Sequence, residues 1–170
     1  MGLYTRVLKR LGHRRWMAAF GRRMVPADRW VQRRTGGRVA MMGRGFDALL
    51  LTTTGRRSGR PRVSPLVYAR VDGGFVVAGT NFGQPHHPAW TANLLAHPDA
   101  TVSVGGEPAA VRARLVADGP ERERLWRAMT AVWPAYDTYA ARAGRPIRLF
   151  LLSPGQAAAD APKAQSSGVT

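Results

Sequence analysis

The chain has 170 residues, 45% of them hydrophobic, which is enough for one domain with its own core. It contains no cysteine, which excludes disulfides, thiolate metal sites and a cysteine nucleophile. Its 26 basic side chains exceed the 10 acidic ones by 16, and this excess predicts an anionic partner: nucleic acid, phospholipid headgroups or a polyanionic small molecule. Codon usage in a GC-rich genome would favour arginine but would not explain the shortage of acids.

The basic N-terminal segment, residues 1–24, is predicted to form an amphipathic helix. Leu3, Val7 and Leu8 recur at helical spacing, while most basic side chains lie on other faces. Such a helix either lies in the headgroup region of an anionic membrane or packs on its own domain or a second subunit. No run of 18 apolar residues spans a bilayer. We therefore expect a cytoplasmic protein, peripheral on the inner face of the cell membrane if the first alternative holds.

Residues 25–154 are predicted to form one domain, and residues 155–170, which lack large apolar side chains, a disordered tail. Two glycine-rich hairpin signals, at 72–74 and 105–106, and the absence of β-α-β alternation favour a mainly β, α+β fold. We expect a small antiparallel barrel with helices inserted between its strands. The predicted strands are 48–54, 62–71, 75–80, 101–104, 109–116 and 147–152, and the predicted helices are 29–34, 89–96, 120–132 and 135–143.

The arginine turn, TGRRSGR at residues 54–60, joins the first two predicted strands. Gly55 and Gly59 permit positive φ and a close approach of an anion to the backbone. Arginines of the turn and the next strand, with the hydroxyl of Ser58, would converge on a phosphate or several carboxylates. The alternative is a solvated loop whose arginines serve solubility, because the spacing matches neither GxxxxGK[ST] nor GxGxxG.

Three stretches carry a family resemblance: LLLTTTGRRSGRPRVSPLVY, VVAGTNFGQPHHPAWTANLLAHPDATV and WPAYDTY. Together they resemble the deazaflavin-dependent nitroreductase family of actinobacteria, over about residues 28–154. The resemblance implies a split β-barrel of the FMN-binding, pyridoxamine-phosphate-oxidase-like type. It also implies coenzyme F420, a 5-deazaflavin whose phosphodiester and oligoglutamate tail match a basic turn in charge.

The family pattern implies positions for the cofactor in this chain. The residues matched to the tail and its phosphate are Arg56, Arg57, Ser58, Arg62 and Asn93, with Asn81 standing where a relative carries lysine. The residues matched to the ring system are Pro65, Val67, Pro88, Ala89 and Trp90. The change at Asn81 leaves tail affinity and preferred tail length open.

Catalysis in this family rests on hydride transfer from the reduced deazaflavin, with the protein supplying orientation. Tyr136 is the predicted donor of a proton or hydrogen bond to the acceptor, Thr80 is a second donor, and Tyr139 belongs to the same set. Trp133, Tyr136 and Tyr139 are matched to the substrate pocket, although simple packing is the alternative for these aromatic residues. Val67 and Trp133 stand where relatives have tyrosine, which leaves nitroimidazole reduction open.

We therefore expect a coenzyme F420-dependent oxidoreductase that passes a hydride to a small-molecule acceptor: a quinone, a nitroaromatic or an activated alkene. The alternatives are a non-catalytic split barrel that binds FMN or lipid, with FMN the less favoured cofactor, and a nucleic-acid-binding module. The sequence shows no helix-turn-helix, zinc-finger or RNP motif for the last of these. His86, His87 and His97 lack an accompanying acidic ligand, so no metal is expected. A monomer and a homodimer are both compatible with the sequence.

Overall fold

The computed structural model describes residues 48–155. The predictions for the N-terminal helix at 1–24, for the helix at 29–34 and for the tail beyond residue 155 therefore lie outside the described residues. Within residues 48–155, no helix combines the length and the apolar character needed to cross a bilayer.

Six antiparallel strands close into a barrel in the order β1-β2-β3-β6-β5-β4, which confirms the predicted architecture. The strands are β1 (Ala48–Thr54), β2 (Pro61–Val71), β3 (Gly74–Ala78), β4 (Asp99–Val104), β5 (Glu107–Leu115) and β6 (Leu149–Pro154). The helices are α1 (Ala89–Ala96), α2 (Pro120–Val132) and α3 (Ala135–Ala143), all at the predicted bounds.

The barrel interior is filled by the side chains that alternate inward along each strand. In β1 the buried positions are Leu49, Leu51 and Thr53, as the two-residue period of a strand requires. Trp90 and Leu94 of α1 join this inner cluster, with Trp90 against the ring of Phe150 at 5.7 Å between centroids. Helix α1 therefore packs into the barrel instead of on its surface.

A second apolar cluster lies outside the barrel, where α2 packs on β2 and β3, and α3 packs on α2 and on residues 81–83. Its buried members from the helices include Leu125 and Met129 of α2 and Tyr136 and Tyr139 of α3. The site described below lies mainly against this outer cluster, with Trp90 contributed by the inner one.

The strand bounds differ from the predicted ones in two places that matter for the site. Strand β2 begins at Pro61 and runs through Pro65, which pairs with Leu50 of β1. Only the second half of β2, from Tyr68 on, pairs with β3, so the proline lies where one neighbouring strand is absent from the described barrel. Strand β3 ends at Ala78, so Thr80 lies in the following segment and not in the predicted strand.

Candidate functional site

A cavity of about 230 Å³ lies against the outer wall of the barrel. Its walls come from the first half of β2, the segment between β3 and α1, and α3. The predicted site residues that line it are Pro65, Val67, Thr80, Asn81, Pro88, Trp90, Trp133, Tyr136 and Tyr139. The lining residues that sequence reasoning missed are Ala48, Ser64, Leu66, Ala78 and Phe82. Ser64 and Leu66 could have been predicted from Pro65 and Val67, because a pocket beside a strand edge exposes consecutive residues of that strand.

The α3 wall presents two tyrosines whose rings meet edge to face at 6.2 Å between centroids. Tyr136 is 7% exposed, and burial together with the neighbouring Tyr139 raises its pKa above the usual value of a phenol. Burial also raises the pKa of Tyr139, which shares a hydrogen bond with Trp133; the indole N–H is the donor. Both phenols are therefore neutral hydroxyl groups at physiological pH.

Two further hydroxyl groups lie buried at the cavity wall. Thr80 is 4% exposed and Ser64 is 8% exposed, and both line the cavity. The backbone oxygen of Thr80 accepts hydrogen bonds from Gly83 and Arg145, but neither side-chain hydroxyl has a hydrogen-bond partner among residues 48–155. Both hydroxyls are in a position to hydrogen-bond a polar group of a ligand in the cavity.

Residues 81–83 between β3 and α1 form a left-handed turn. Asn81 and Phe82 have φ values of 50° and 55°, and Gly83 follows at 77°. Positive φ is uncommon for a side chain as large as phenylalanine and marks stored strain of about 1–3 kcal/mol. The turn directs Phe82 against Tyr139, with 6.1 Å between ring centroids. The Asn81 amide donates to the His86 carbonyl at 3.1 Å, so it holds the turn together.

The arginine turn lies at the other end of the β1–β2 hairpin. Its backbone is closed by bonds from Gly55 N–H to Arg60 O (2.9 Å) and from Gly59 N–H to Gly55 O (2.8 Å). Gly59 uses the freedom of glycine with a φ of 63°, whereas Gly55 does not have a positive φ. At Gly55 space is limited instead, because a Cβ there would lie 2.7 Å from the Ser58 hydroxyl and 3.1 Å from the Arg60 carbonyl oxygen.

All four arginines at this end, Arg56, Arg57, Arg60 and Arg62, are exposed. None of the three ion pairs found in the described chain involves any of them. Arg62 lies in β2 and not in the turn itself. A group of exposed guanidinium groups without carboxylate partners is suited to bind an anionic ligand.

The side chain of Asn93, in α1, holds the arginine turn in place through two hydrogen bonds. Its side chain is 6% exposed, and its Oδ1 accepts a hydrogen bond from the backbone N–H of Arg56 at 3.1 Å. Its Nδ2 donates to Thr53 Oγ1 at 3.0 Å, and Thr53 in turn donates to the Arg62 carbonyl at 3.4 Å. The Asn93 amide therefore contacts both sides of the turn, and its predicted help at the phosphate stays a prediction.

The structure thus separates the predicted residues into two groups. Arg56, Arg57, Ser58, Arg62 and Asn93 surround the turn, and Ala89 is an exposed residue beside Trp90; none of the six lines the cavity. Pro65 in the cavity wall and Pro61 beside the turn are four residues apart on one strand, about 13 Å at about 3.3 Å per residue. A ligand that occupies both places must be elongated, apolar at one end and anionic at the other.

Histidines do not form a metal site in the part of the chain that the structure describes. No three His, Cys, Asp or Glu side chains come together within residues 48–155. The backbone N–H of His97 bonds to the Asn93 carbonyl at 2.7 Å and ends α1. His87 Nδ1 lies 2.9 Å from Arg145 NH1, in a contact that no sequence motif predicted.

Comparisons with known proteins agree with this geometry. The family model described as F420H(2)-dependent quinone reductase matches residues 24–154. The F420H(2)-dependent quinone reductase of Mycobacterium tuberculosis H37Rv is 33% identical over 126 residues, which cover 72% of this chain and 85% of that protein. A solved F420-H2 dependent reductase is 31% identical with a TM-score of 0.58, over 63% of this chain and 94% of that one. A solved domain-swapped dimer is 30% identical with a TM-score of 0.60, over 75% and 99%.

Proposed function

Because the chain belongs to the F420H(2)-dependent quinone reductase family, we propose that its cavity and arginine turn together bind reduced coenzyme F420 and that its acceptor is a quinone. The protein is a coenzyme F420-dependent oxidoreductase with the split-barrel fold. The observation that supports the site assignment best is that an aromatic cavity and a turn with exposed arginines lie on the same β1–β2 hairpin, and that these arginines form no ion pair among residues 48–155.

The residues present fit such a coenzyme. The exposed guanidinium groups of Arg56, Arg57 and Arg62 would bind the phosphate and carboxylates of its tail through charge-assisted hydrogen bonds. The ring system would lie against Pro65, Val67 and the Pro88–Trp90 segment, where the buried hydroxyls of Ser64 and Thr80 are without protein partners among residues 48–155. The reduced coenzyme supplies the hydride, which carries both electrons of the reduction.

The protein's own contribution is to orient the acceptor and to stabilise the negative charge that develops on it. Reduction of a quinone to its hydroquinone takes one hydride and one proton, and the proton reaches the reduced quinone from solvent. Tyr136 would hold a hydrogen bond on the oxygen that gains negative charge, because its raised pKa keeps the phenol protonated. The apolar wall formed by Trp133, Phe82 and Tyr139 would exclude water from the reacting atoms.

The side chains that line the cavity support a choice among the possible acceptors. Val67 and Trp133 line the cavity at positions that the family resemblance matches to tyrosine, and a wall without those two phenols favours an apolar acceptor such as a quinone over a polar nitroimidazole. Nitroaromatic and activated-alkene acceptors are side activities in this proposal. One solved relative is a domain-swapped dimer, which supports a homodimer over a monomer, and light scattering on the purified protein tests it.

The same proposal extends to location. A quinone with a long side chain resides in the bilayer, so we infer a cytoplasmic protein that meets the inner face of the cell membrane through its basic segment, residues 1–24. Sedimentation with anionic and neutral vesicles tests this. Binding that does not depend on anionic lipid, or that survives removal of residues 1–24, would contradict it.

The activity is tested by mixing the protein with reduced coenzyme F420 under anaerobic conditions and following the return of the oxidised coenzyme's absorbance. We expect oxidation with menaquinone analogues to be faster than with nitroimidazoles or enones. FMN is the control for the alternative of a flavin-binding barrel. Tight binding of FMN together with no binding of coenzyme F420 would overturn the proposal.

A further inference from the structure

One guanidinium group, that of Arg145, joins the two walls of the cavity. Arg145 follows α3, just beyond Gly144, whose φ of 60° ends the helix. It lies close to the segment 79–88, which forms the opposite wall. Sequence reasoning assigned it no role, because it belongs to no motif.

The contacts of Arg145 are almost all to backbone oxygens. They are Nε to Gln84 O (3.2 Å), NH2 to His86 O (3.0 Å), NH2 to Gly79 O (3.2 Å), NH2 to Thr80 O (3.3 Å), NH1 to Pro146 O (3.4 Å) and NH1 to His87 Nδ1 (2.9 Å). Four of the five oxygens belong to the segment 79–88. None of the three ion pairs of residues 48–155 includes Arg145, so its charge faces carbonyl dipoles instead of a carboxylate.

These contacts need the shape of arginine. A guanidinium presents five N–H groups in a rigid plane, whereas a lysine ammonium presents three from one point and cannot reach carbonyls spread along the eight residues from Gly79 to His86. The planar fork of N–H groups on Arg145 therefore holds four backbone carbonyls of the segment 79–88 in place at once.

The segment that Arg145 holds carries the cavity residues Thr80, Asn81, Phe82 and Pro88. The helix just before Arg145 carries Tyr136 and Tyr139. The walls meet where the Phe82 and Tyr139 rings touch, and they are packed so closely that a Cβ on Gly83 would lie 3.1 Å from the Tyr139 carbonyl oxygen. A change in the Arg145 contacts thus alters the separation of the walls.

We propose that Arg145 is a positioning residue that sets the distance between the Thr80–Pro88 wall and the tyrosine wall, and that hydride transfer depends on its planar fork more than on its charge. The proposal rests on the proposed function, since it assigns that function's rate to a residue outside the cavity. A displacement of about 1 Å between reacting groups lowers a rate by as much as about 100-fold.

His87 provides a readout that is independent of activity. Its Nδ1 accepts a hydrogen bond from Arg145, and burial, Arg145 and Arg148 together lower its pKa, so the ring is neutral at pH 7. The charged or titratable groups close to it are Arg145, Arg148 and the adjacent His86. Loss of the Arg145 charge should return the His87 pKa towards its ordinary value of about 6.5.

The test compares R145K, R145M and the matched control R127K, whose arginine lies exposed on α2 and whose guanidinium, among residues 48–155, donates one hydrogen bond, to Glu123 O of its own helix. We expect kcat to fall about 10- to 100-fold in both R145K and R145M, with a smaller change in the Kd of the oxidised coenzyme, because the arginine turn is untouched. R127K should match the wild type. In NMR spectra, the backbone amides of Thr80–Phe82 should shift in both Arg145 variants.

The pH dependence of kcat distinguishes the effect of the guanidinium's shape from the effect of its charge. In R145M the His87 ring signals should titrate at a higher pH than in the wild type, and kcat should fall as the pH drops through that titration; in R145K and in the double variant R145M/H87Q no such dependence should appear. Wild-type kcat in R145K would overturn the role of the fork, and wild-type kcat in R145M would overturn the proposal as a whole. If R145M fails to fold, R145K still decides it. A wild type that oxidises no reduced coenzyme with any acceptor would refute the proposed function instead, and the NMR shifts would still decide whether Arg145 positions the wall.

Discussion

Replacement of Asn93 by alanine tests whether the arginine turn must be held in shape in order to bind an anion. The variant loses two hydrogen bonds, from the Arg56 N–H and to the Thr53 hydroxyl. Each is worth about 1 kcal/mol, and leaving a hydroxyl that is 1% exposed short of a donor adds about 1–2 kcal/mol. The free energy of unfolding should therefore fall by about 2–4 kcal/mol.

Coenzyme binding should weaken for a separate reason. Without its anchor at Arg56, the turn must be ordered by the ligand, which costs about 1–2 kcal/mol per residue fixed and raises Kd about 5- to 30-fold. Urea unfolding and quenching of coenzyme fluorescence measure the two effects. The near-isosteric T53V variant is the control, because it loses the Asn93–Thr53 bond but keeps the Arg56–Asn93 bond. A wild-type Kd in folded N93A, or an equal rise of Kd in T53V, would refute the reasoning.

Further predictions concern the anion, the acceptor and the fold. R56A/R57A should weaken coenzyme binding by about 2–4 kcal/mol, whereas R112A, whose guanidinium pairs with Asp99 at 2.8 Å, should leave it unchanged in the same quenching titration. Y136F should lower kcat about 10- to 100-fold with little change in coenzyme Kd. Because the Tyr136 pKa is raised, the wild-type rate should show no alkaline loss from this group below about pH 10, and a decline that Y136F abolishes would count against it. G74A should destabilise the fold by about 3 kcal/mol or more in urea, because φ is 145° there and a Cβ would overlap the Leu152 carbonyl; an unchanged midpoint would contradict the β3–β6 pairing.

The helices and the hairpin order were predictable because their signals are local. Pro88 and Pro98 flank α1, Pro120 begins α2, and the glycines at 73 and 105 turn the chain back at hairpins. Such residues restrict φ or permit positive φ wherever they occur. The barrel follows because every predicted hairpin pairs with its neighbour.

The errors arose where neighbouring strands decide the outcome. Strand β3 was predicted to run to residue 80 but ends at Ala78, and the sequence does not reveal how far its pairing with β2 extends. Pro65 fits inside β2 because that part of the strand has one strand partner among the described residues. Gly55 does not use the positive φ that glycine permits, and a side chain there would approach Ser58 and the Arg60 carbonyl.

The site was predicted to the extent that it is built from a motif. The family pattern named most of the cavity wall, including Val67, Thr80 and Tyr136, and the arginines of the turn. The role of Arg145 was not predicted because its partners are backbone carbonyls of a segment about sixty residues earlier. Every residue has a backbone carbonyl, so the amino-acid sequence does not show which of them a side chain contacts. The support role of Asn93 escaped for a related reason, since its contact with Thr53 crosses 40 positions of the chain.

One side of the first half of β2 has no strand partner among the described residues, and two prolines protect that side from unwanted strand pairing. Residues 61–67 have β1 as their one strand partner among the described residues, so their other side resembles the edge on which foreign strands add to a sheet and aggregation begins. A proline in mid-strand is tolerated where its nitrogen faces away from the partner, and Pro61 and Pro65 share that orientation because strand geometry repeats every two residues. Two of the four donors that an invading strand would need at 61, 63, 65 and 67 are therefore missing. The two prolines therefore hinder strand addition at the edge of β2 that also lines the apolar cavity, so the cavity can stay accessible to small molecules.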